Sequence, residues 1–482
     1  MTVPLTDELQ QRFGYQQFRP GQAEIIAALL AGQDAIAVLP TGSGKSLLYQ
    51  FMAPHLSGLI LVVSPLISLM SDQALRIRNA HLGPVAVLNS QLTPREKQQI
   101  LRQLAQYKFL FVAPETLQQP FIQQAIKRVP LALFVVDEAH CISSWGPDFR
   151  PSYLLLGQVR RQLQPPLTLA LTATATPRVF QDIQRELALP ATTAHYRASV
   201  NRSNLFLRLE RITQPADKNA RLEPLLALGV PTLIYVATRH QAETLTQYLQ
   251  LKTARPIAYY HGGLSGIERY RIQQLFLQDQ LGIIVATNAF GMGIDKSNLR
   301  LVIHYDLPAN FENYLQEIGR AGRDGQLALT VIFVDELDFA KQGQRIKNSQ
   351  LTSTEIQNFF AHPDDRQQLN DGQLGVLAAY AQTQLPVAQV NDILQQTSRL
   401  RAQQRQAFWQ FLNSKTCLRQ QLCDYFDEQP PVIQHDQQCC SQSDQESLTT
   451  LLQRLPLVEA TVKNSSEPPL TDLKTVLAKL FD

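Results

Sequence analysis

Pro40-Thr41-Gly42-Ser43-Gly44-Lys45-Ser46 follows a short apolar run that ends at Leu39. The apolar run reads as a buried strand and the residues from Lys45 onward as a helix, so the glycines fall in the turn between them. Glycine lets such a turn close tightly and aim backbone N–H groups at phosphate oxygens. In that frame Thr41, Gly42, Ser43 and Gly44 would line a phosphate, Lys45 would reach the β- and γ-phosphates, and the Ser46 hydroxyl would ligate Mg²⁺. The strict motif asks for glycine where this chain has Leu39, so the string needs support from elsewhere in the chain.

That support comes from the runs on either side. Apolar stretches at 34–39, 59–64, 108–113, 131–137 and 167–174 alternate with polar helical stretches. This is the pattern of a parallel sheet covered by helices on both faces. The pattern fades near Pro190 and resumes at 232–237, 257–261, 282–287, 301–305 and 329–334, which predicts a second sheet of the same kind. Residues 191–215 read as a hinge plus a connecting strand. The fourth run of the first set ends in Val135-Val136-Asp137-Glu138-Ala139-His140. Parallel sheets bind ligands beyond the carboxyl ends of their strands, so Asp137 and Glu138 belong at the same edge as Lys45. Asp137 suits a Mg²⁺ ion, and Glu138 suits the orientation and deprotonation of an attacking water.

Composition limits the alternatives. A chain of 482 residues with 44% apolar content suits two core domains and a tail. A net charge of +3 places any nucleic-acid surface in a local groove rather than over a whole face. Five cysteines in this length do not form a disulfide framework and point to a reducing compartment. The first residues lack a basic-then-apolar signal, and no apolar run spans a bilayer, so the expectation is an intracellular, cytoplasmic protein with no membrane partner.

Further strings narrow the reading. Phe13-Gly14-Tyr15-Gln16-Gln17-Phe18-Arg19-Pro20-Gly21-Gln22 precedes the glycine-rich turn. Thr172-Ala173-Thr174 ends the fifth run, and His140 to Pro151 forms a loop with Trp145, Phe149 and Arg150. Ala286-Thr287-Asn288-Ala289-Phe290-Gly291-Met292-Gly293-Ile294-Asp295 and Gln316-Glu317-Ile318-Gly319-Arg320-Ala321-Gly322-Arg323 lie in the second half. From about Leu9 to Val334 the chain resembles a superfamily 2 helicase, and more narrowly the RecQ family. The resemblance implies an α/β fold with two RecA-like parallel-sheet domains in tandem, followed by a mainly helical C-terminal region. It implies that Gln22 reads the adenine edge while Tyr15 and Arg19 stack on the ring, chemistry that suits an amide, an aromatic face and a guanidinium. Arg323 becomes an arginine finger on the γ-phosphate, with Arg320 and Gln316 in support and Asp295 in a segment that contacts nucleotide and nucleic acid. Because these arginines belong to the second lobe, nucleotide turnover and lobe movement become one event.

By the same resemblance the partner is DNA: single strands, tailed duplexes and junctions. Trp145 and Phe149 offer stacking faces worth about 1–3 kcal/mol per base, and Arg150 offers charge. Ser64, Thr238, Arg239 and Thr287 are candidate backbone contacts. The implied activity is ATP-dependent 3′–5′ DNA unwinding in recombination and repair. Two alternatives stay open: a DNA-stimulated translocase with little unwinding, and an RNA helicase. A nucleic-acid scaffold without turnover is disfavoured by the intact Lys45, Asp137, Glu138 and Arg323.

The C-terminal part departs from the family pattern. The organisation expected is 1–200 and 201–340 for the two lobes, and 341–398 for a small helical or winged-helix-like segment. A degenerate zinc-module-like stretch follows at 399–445, with a tail at 446–482. A helical face carries Leu400, Ala407, Phe408, Phe411 and Leu412, and a second one near the end carries Leu473, Val476, Leu477 and Leu480 after Thr471. Cys417, Cys439 and Cys440 match the family's zinc ligands, but Ser443 stands where a fourth cysteine is expected, and serine is a poor zinc ligand. His435 and Cys423 are the available substitutes. On these ligands a bound Zn²⁺ is doubtful, and a helical module held by core packing is the expectation.

Overall fold

The computed structural model describes residues 5–89, 91–143, 150–214, 217–291, 296–362, 369–383, 385–428 and 439–442, with 447 and 450. It divides into two compact units. The first comprises Met1–Ala198 with Arg345–Gln403, and the second comprises Ser199–Gln344 with the described residues from Gln404 onward.

In the first unit seven strands form one sheet: β1 (Ala35–Val38), β2 (Leu59–Val63), β3 (Val85–Leu88), β4 (Phe109–Val112), β5 (Leu131–Val136), β6 (Thr168–Thr172) and β7 (Ala194–Arg197). Their order is β3-β4-β2-β5-β6-β1-β7, with every pairing parallel. Successive residues of a strand face opposite sides, so Leu61 and Val63 enter one apolar core while Ile60 and Val62 enter the other. Helices cover both faces, which is why the strands read as unbroken apolar runs.

The second unit repeats the plan with β8 (Leu205–Arg211), β9 (Thr232–Tyr235), β10 (Ile257–Tyr260), β11 (Ile283–Ala286), β12 (Leu301–His304) and β13 (Ala328–Val334). The order is β10-β11-β9-β12-β13-β8, again all parallel. The stretch 191–215, read from sequence as a hinge plus one strand, supplies an edge strand to each sheet, β7 to the first and β8 to the second. Strand β3 was not read from sequence.

The described residues after β13 are mainly helical. Helices Glu336–Ser349, Ser353–Ala361, Asp371–Ala381, Val387–Asn413 and Leu418–Tyr425 follow one another. A winged helix needs a β-hairpin, and no strand occurs among the described residues of 341–398. That segment instead closes a small core of Leu351, Ile356, Phe359, Leu377, Tyr380 and Val390. From Arg345 it groups with the first unit rather than standing alone. The helical face expected near 400–412 is present: Leu400, Phe408, Phe411 and Leu412 are buried, and Ala407 packs partly buried beside them. The amphipathic stretch at 471–480 lies outside the described residues. No helix among the described residues is long and apolar enough to cross a membrane.

Helix Phe311–Ile318 is the seam between the second sheet and the C-terminal helices. Phe311 stacks on Tyr425 at a centroid distance of 4.1 Å and meets Phe411 at 5.0 Å and Phe408 at 5.2 Å. Glu312 is buried in this aromatic seam. Its Oε1 accepts a hydrogen bond from Tyr425 Oη at 2.9 Å, while Oε2 has no partner. Burial pushes its carboxyl up to about 7. An exposed glutamate titrates near about 4.3, so between about 4.3 and 7 the folded chain holds a proton that the unfolded chain has lost. Folding stability from this group is therefore full below about 4.3 and is lost as pH rises through 7. Glu312→Gln keeps the acceptor and removes the titration. Urea unfolding across pH 5 to 8 should show the variant more stable than wild type at pH 8, by about 1–3 kcal/mol, with a shallower pH dependence; parallel profiles would refute the buried-carboxyl assignment.

Candidate functional site

The glycine-rich turn lies where β1 meets helix Lys45–Phe51. Gly42 and Gly44 have φ of 79° and 82°, a region that side-chain-bearing residues avoid. A Cβ on Gly44 would also stand 2.8 Å from Gln22 Nε2. That amide is buried and engaged: Nε2 donates to Ser43 O at 2.8 Å and Gly44 O at 3.3 Å, and Oε1 accepts from Arg19 N at 2.9 Å. Gln22, expected from the resemblance to read adenine, thus sits directly against the glycine-rich turn. Arg19 Nη1 donates to Gly42 O, so the guanidinium also reaches the turn. Tyr15 and Arg19 are exposed, as a stacking pair must be. Ser43 Oγ is buried without a partner, and Thr41, Lys45 and Ser46 are half-buried around the same turn.

Strand β6 separates the acidic pair from the turn, and it connects them. Leu39 N donates to Thr172 O at 2.9 Å on one side, and β5 pairs with β6 on the other. Asp137 Oδ1 accepts from Glu138 N at 3.0 Å, and its Oδ2 lies 3.5 Å from Ser64 Oγ. Burial first and the Glu138 charge second push the Asp137 carboxyl up, and Lys45 pulls it back. The Lys45 effect is that of a cation facing the carboxyl group. Glu138 is buried with φ 48° and ψ 46°, a left-handed backbone that costs a non-glycine residue about 1–3 kcal/mol. Tyr153 Oη donates to Asp137 O at 2.9 Å and braces the turn from beneath.

The turn's next residue links the acidic pair to β6. His140 Nδ1 lies 2.9 Å from Thr172 Oγ1 and 3.4 Å from Glu138 Oε2. The single Thr172 hydroxyl proton goes to Thr174 O at 3.0 Å. His140 Nδ1 must therefore carry the proton that bridges to Thr172. Thr172, in the string read from sequence as a coupling motif, thus touches His140, and Thr174 accepts from Thr172. His140 and Tyr153 were not singled out from sequence. His140 could have been found as the fourth member of the acidic string, but a lone buried tyrosine has no such signal.

In the second unit the arginine-bearing string follows helix Phe311–Ile318, on which Gln316 is buried. Arg320 is buried, and its contacts are to protein: Nε donates to Tyr235 Oη at 2.8 Å and Nη1 to Gly291 O. Tyr235 Oη in turn donates to Phe290 O at 3.0 Å. The Tyr235 ring stacks on His304, 5.5 Å between centroids, and His304 Nε2 meets Glu317 Oε2 at 2.9 Å. Arg320 is therefore a clamp between the 286–291 loop and its own turn. Arg323 is half-buried, with Nε donating to Gly319 O at 3.3 Å.

The nucleic-acid candidates divide by exposure. Arg239 is exposed, and Thr238 caps its helix through Gln241 N at 3.2 Å. Arg150 Nη1 donates to Pro65 O at 3.0 Å, tying the end of its loop to the segment two residues beyond β2. Ser64 and Thr287 differ from these in exposure. Both are buried at strand ends; Ser64 faces Asp137, and Thr287 Oγ1 accepts from Ala289 N at 3.4 Å. Trp145, Phe149 and Asp295 lie outside the described residues.

The cysteines form a third feature. Cys417 Sγ is 3.6 Å from Cys439 Sγ and 3.8 Å from Cys440 Sγ, all as free thiols. The neighbouring thiols first, and burial after them, raise the Cys439 thiol well above its ordinary value. Residues 439–441 run beside β8, where Ser441 N donates to Leu207 O at 2.9 Å. Cys423 is buried outside the trio. His435 and Ser443 lie outside the described residues.

Comparison with known proteins adds a family to this geometry. Residues 19–183 match the DEAD/DEAH box helicase model, and residues 217–325 match the helicase conserved C-terminal domain. In fold the chain is similar to the Mycobacterium smegmatis helicase Lhr solved with single-stranded DNA and AMP-PNP. The TM-score is 0.58 at 20% identity, covering 74% of this chain and 50% of that one. It is also similar to S. cerevisiae Dbp5 solved with RNA and ADP BeF3, with a TM-score of 0.56 at 19% identity over 72% and 91% of the two chains. Both sheets are thus RecA-like domains in tandem. In sequence it is 43% identical to Haemophilus influenzae RecQ over 69% of its own length, and it spans 53% of that relative. It is 41% identical to Synechocystis RecQ, covering 69% of this chain and 71% of that one. With the Bacillus subtilis probable ATP-dependent DNA helicase RecS it shares 39% identity over 99% of its own length and 98% of the relative's. Matched from end to end by one such relative and over 69% of its length by the others, the chain belongs to the RecQ family of ATP-dependent DNA helicases.

Proposed function

We propose that the chain is an ATP-dependent DNA helicase of RecQ type that moves 3′ to 5′ on single-stranded DNA and opens duplexes or junctions. The observation that carries this reading is the edge shared by the glycine-rich turn, Thr172 and the Asp137–Glu138 pair in a chain of that family. ATP suits the turn: Ser43 Oγ is an unpartnered buried oxygen there, and a Cβ at Gly44 would crowd Gln22 Nε2 at 2.8 Å. Lys45 would hold the β- and γ-phosphates, and Ser46 and Asp137 would hold Mg²⁺. Magnesium, when bound, neutralises charge on the phosphates.

Glu138 is assigned the attacking water, with His140 holding its position through Thr172. Removing a general base costs about 10²–10⁴-fold. Glu138→Gln is therefore expected to lower DNA-stimulated kcat by about 10²-fold or more, and Lys45→Ala to abolish turnover. Robust hydrolysis by either purified variant would sink the site assignment. Arg323 is assigned the developing charge on the γ-phosphate, and Arg320 the support of its turn. Tyr15 and Arg19 are assigned the adenine ring, and Arg239 with Thr238 the DNA backbone. Single-stranded DNA should stimulate hydrolysis more than RNA of the same length; the reverse order would favour the RNA-helicase reading.

We further propose that Cys417, Cys439 and Cys440 supply three of the four ligands of a structural zinc. Thiolates at about 2.3 Å in tetrahedral positions stand about 3.8 Å apart, and the observed sulfur separations are 3.6 and 3.8 Å. Elemental analysis should give about one zinc per chain, reduced in Cys439→Ser together with the thermal midpoint. Metal-free wild-type protein of full stability would contradict the site.

A further inference from the structure

The residues that join the last strand of the first sheet to the first strand of the second carry polar side chains that no motif explains. Arg202 Nη2 donates to Ala321 O at 3.1 Å and to Gly322 O at 2.8 Å, and its Nε donates to Asn204 Oδ1 at 3.2 Å. Asn204 Nδ2 donates to Gly322 O and to Gln326 O, each at 2.8 Å. Four donated bonds therefore converge on the turn that precedes and follows Arg323. Gly322 has φ 57°, and a Cβ there would stand 2.5 Å from Asn204 Nδ2 and 2.7 Å from Gln326 O. The turn is thus a left-handed glycine with both neighbouring carbonyls gripped by the connector.

The connector is itself held from its other side. Arg419 is buried and donates through Nη1 to Asn201 Oδ1 and Arg202 O, each at 2.7 Å. Its Nη2 donates to Leu205 O at 2.6 Å and to Cys439 O at 3.1 Å. Val200 N donates to Glu428 Oε2 at 2.8 Å. A chain of charge-assisted hydrogen bonds runs from the cysteine segment through Arg419 and the connector to the arginine turn.

We propose that Arg202 is a positioning residue for ATP turnover: by holding the two carbonyls that precede Arg323, it fixes the direction in which that arginine leaves the backbone. The proposal rests on the reading that Arg323 acts on the γ-phosphate. A preorganised charge loses its effect when its backbone is free to rotate, because it then no longer meets the transition state in one orientation. Arginine suits the task because the two N–H groups of its terminal nitrogen fork onto two acceptors; lysine, a point charge, reaches both less well.

The test uses the full chain, with single-stranded DNA stimulating steady-state ATP hydrolysis, and reads kcat and KM separately. Arg202→Ala is expected to lower kcat about tenfold with KM for ATP unchanged, the signature of an interaction that matters in the transition state. Arg202→Lys is expected to recover part of the loss, and it carries the test should Arg202→Ala not fold. Thermal midpoints are measured alongside. A variant with a lower midpoint but wild-type kcat per folded molecule would overturn the proposal, as would a change in KM alone. Arg323→Ala is run in parallel to separate the two claims. Loss of turnover in Arg323→Ala with wild-type kcat in both Arg202 variants refutes only the positioning role; full turnover in Arg323→Ala refutes the underlying site reading.

Discussion

Strand β6, parallel between β5 and β1, is the constraint on which the site depends. Its register sets Thr172 opposite Val38, one residue before Leu39 and the glycine-rich turn. The same strand pairs with β5 through Val135 and Val136, which places Asp137 and Glu138 at the same edge. Because all seven strands run one way, their carboxyl ends form a single rim, and the loops there converge without any long-range design. A slip of one residue in β6 would turn Thr172 away from His140 and leave two buried polar groups unpaired. The chemistry is thus secured by backbone pairing first and by side-chain bonds second.

The second unit solves a different problem, that of keeping basic side chains in one orientation. Arg320 is placed inside the fold, where Tyr235 and the Gly291 carbonyl take two of its donors. The aromatic seam of Phe311, Tyr314, Phe408, Phe411 and Tyr425 fastens the preceding helix to the C-terminal helices. These helices, with Cys439 and Cys440, share one apolar core with the second sheet. The part of the chain that departs most from the family pattern is therefore also part of the scaffold that supports the arginine turn.

Much of this was legible in the sequence, for a physical reason. Strands buried on both faces, such as Leu59–Val63 and Leu131–Val136, must be apolar at every position and stand out as runs. Edge strand β7, Ala194–Arg197, is only partly covered and polar, so it left no run. The glycine-rich turn, the acidic pair and the arginine string could be read because spacing along the chain carries their chemistry. The bonds of Gln22 to Ser43 and Gly44, of Ser64 to Asp137 and of Arg320 to Tyr235 and Gly291 could not, since each closes between segments distant in sequence. Ser64 illustrates the limit: a serine at a strand end suits a phosphate or a neighbouring carboxylate, and its closeness to Asp137 follows from the β2–β5 pairing, which the sequence does not print. The cysteines mark a second limit. A missing fourth cysteine argues against zinc on paper, yet the fold brings three sulfurs from two distant segments within 4.8 Å of one another, which spacing along the chain does not reveal.

The central claim is a motor that couples ATP turnover to directional movement on DNA, and strand displacement tests it most directly. The full chain with ATP and Mg²⁺ would be given duplexes carrying a 3′ tail, a 5′ tail or a fork. The account predicts ATP-dependent displacement from the 3′-tailed and forked duplexes and none from the 5′-tailed one. Displacement confined to the 5′-tailed duplex, or none from any of the three despite DNA-stimulated hydrolysis, would contradict it.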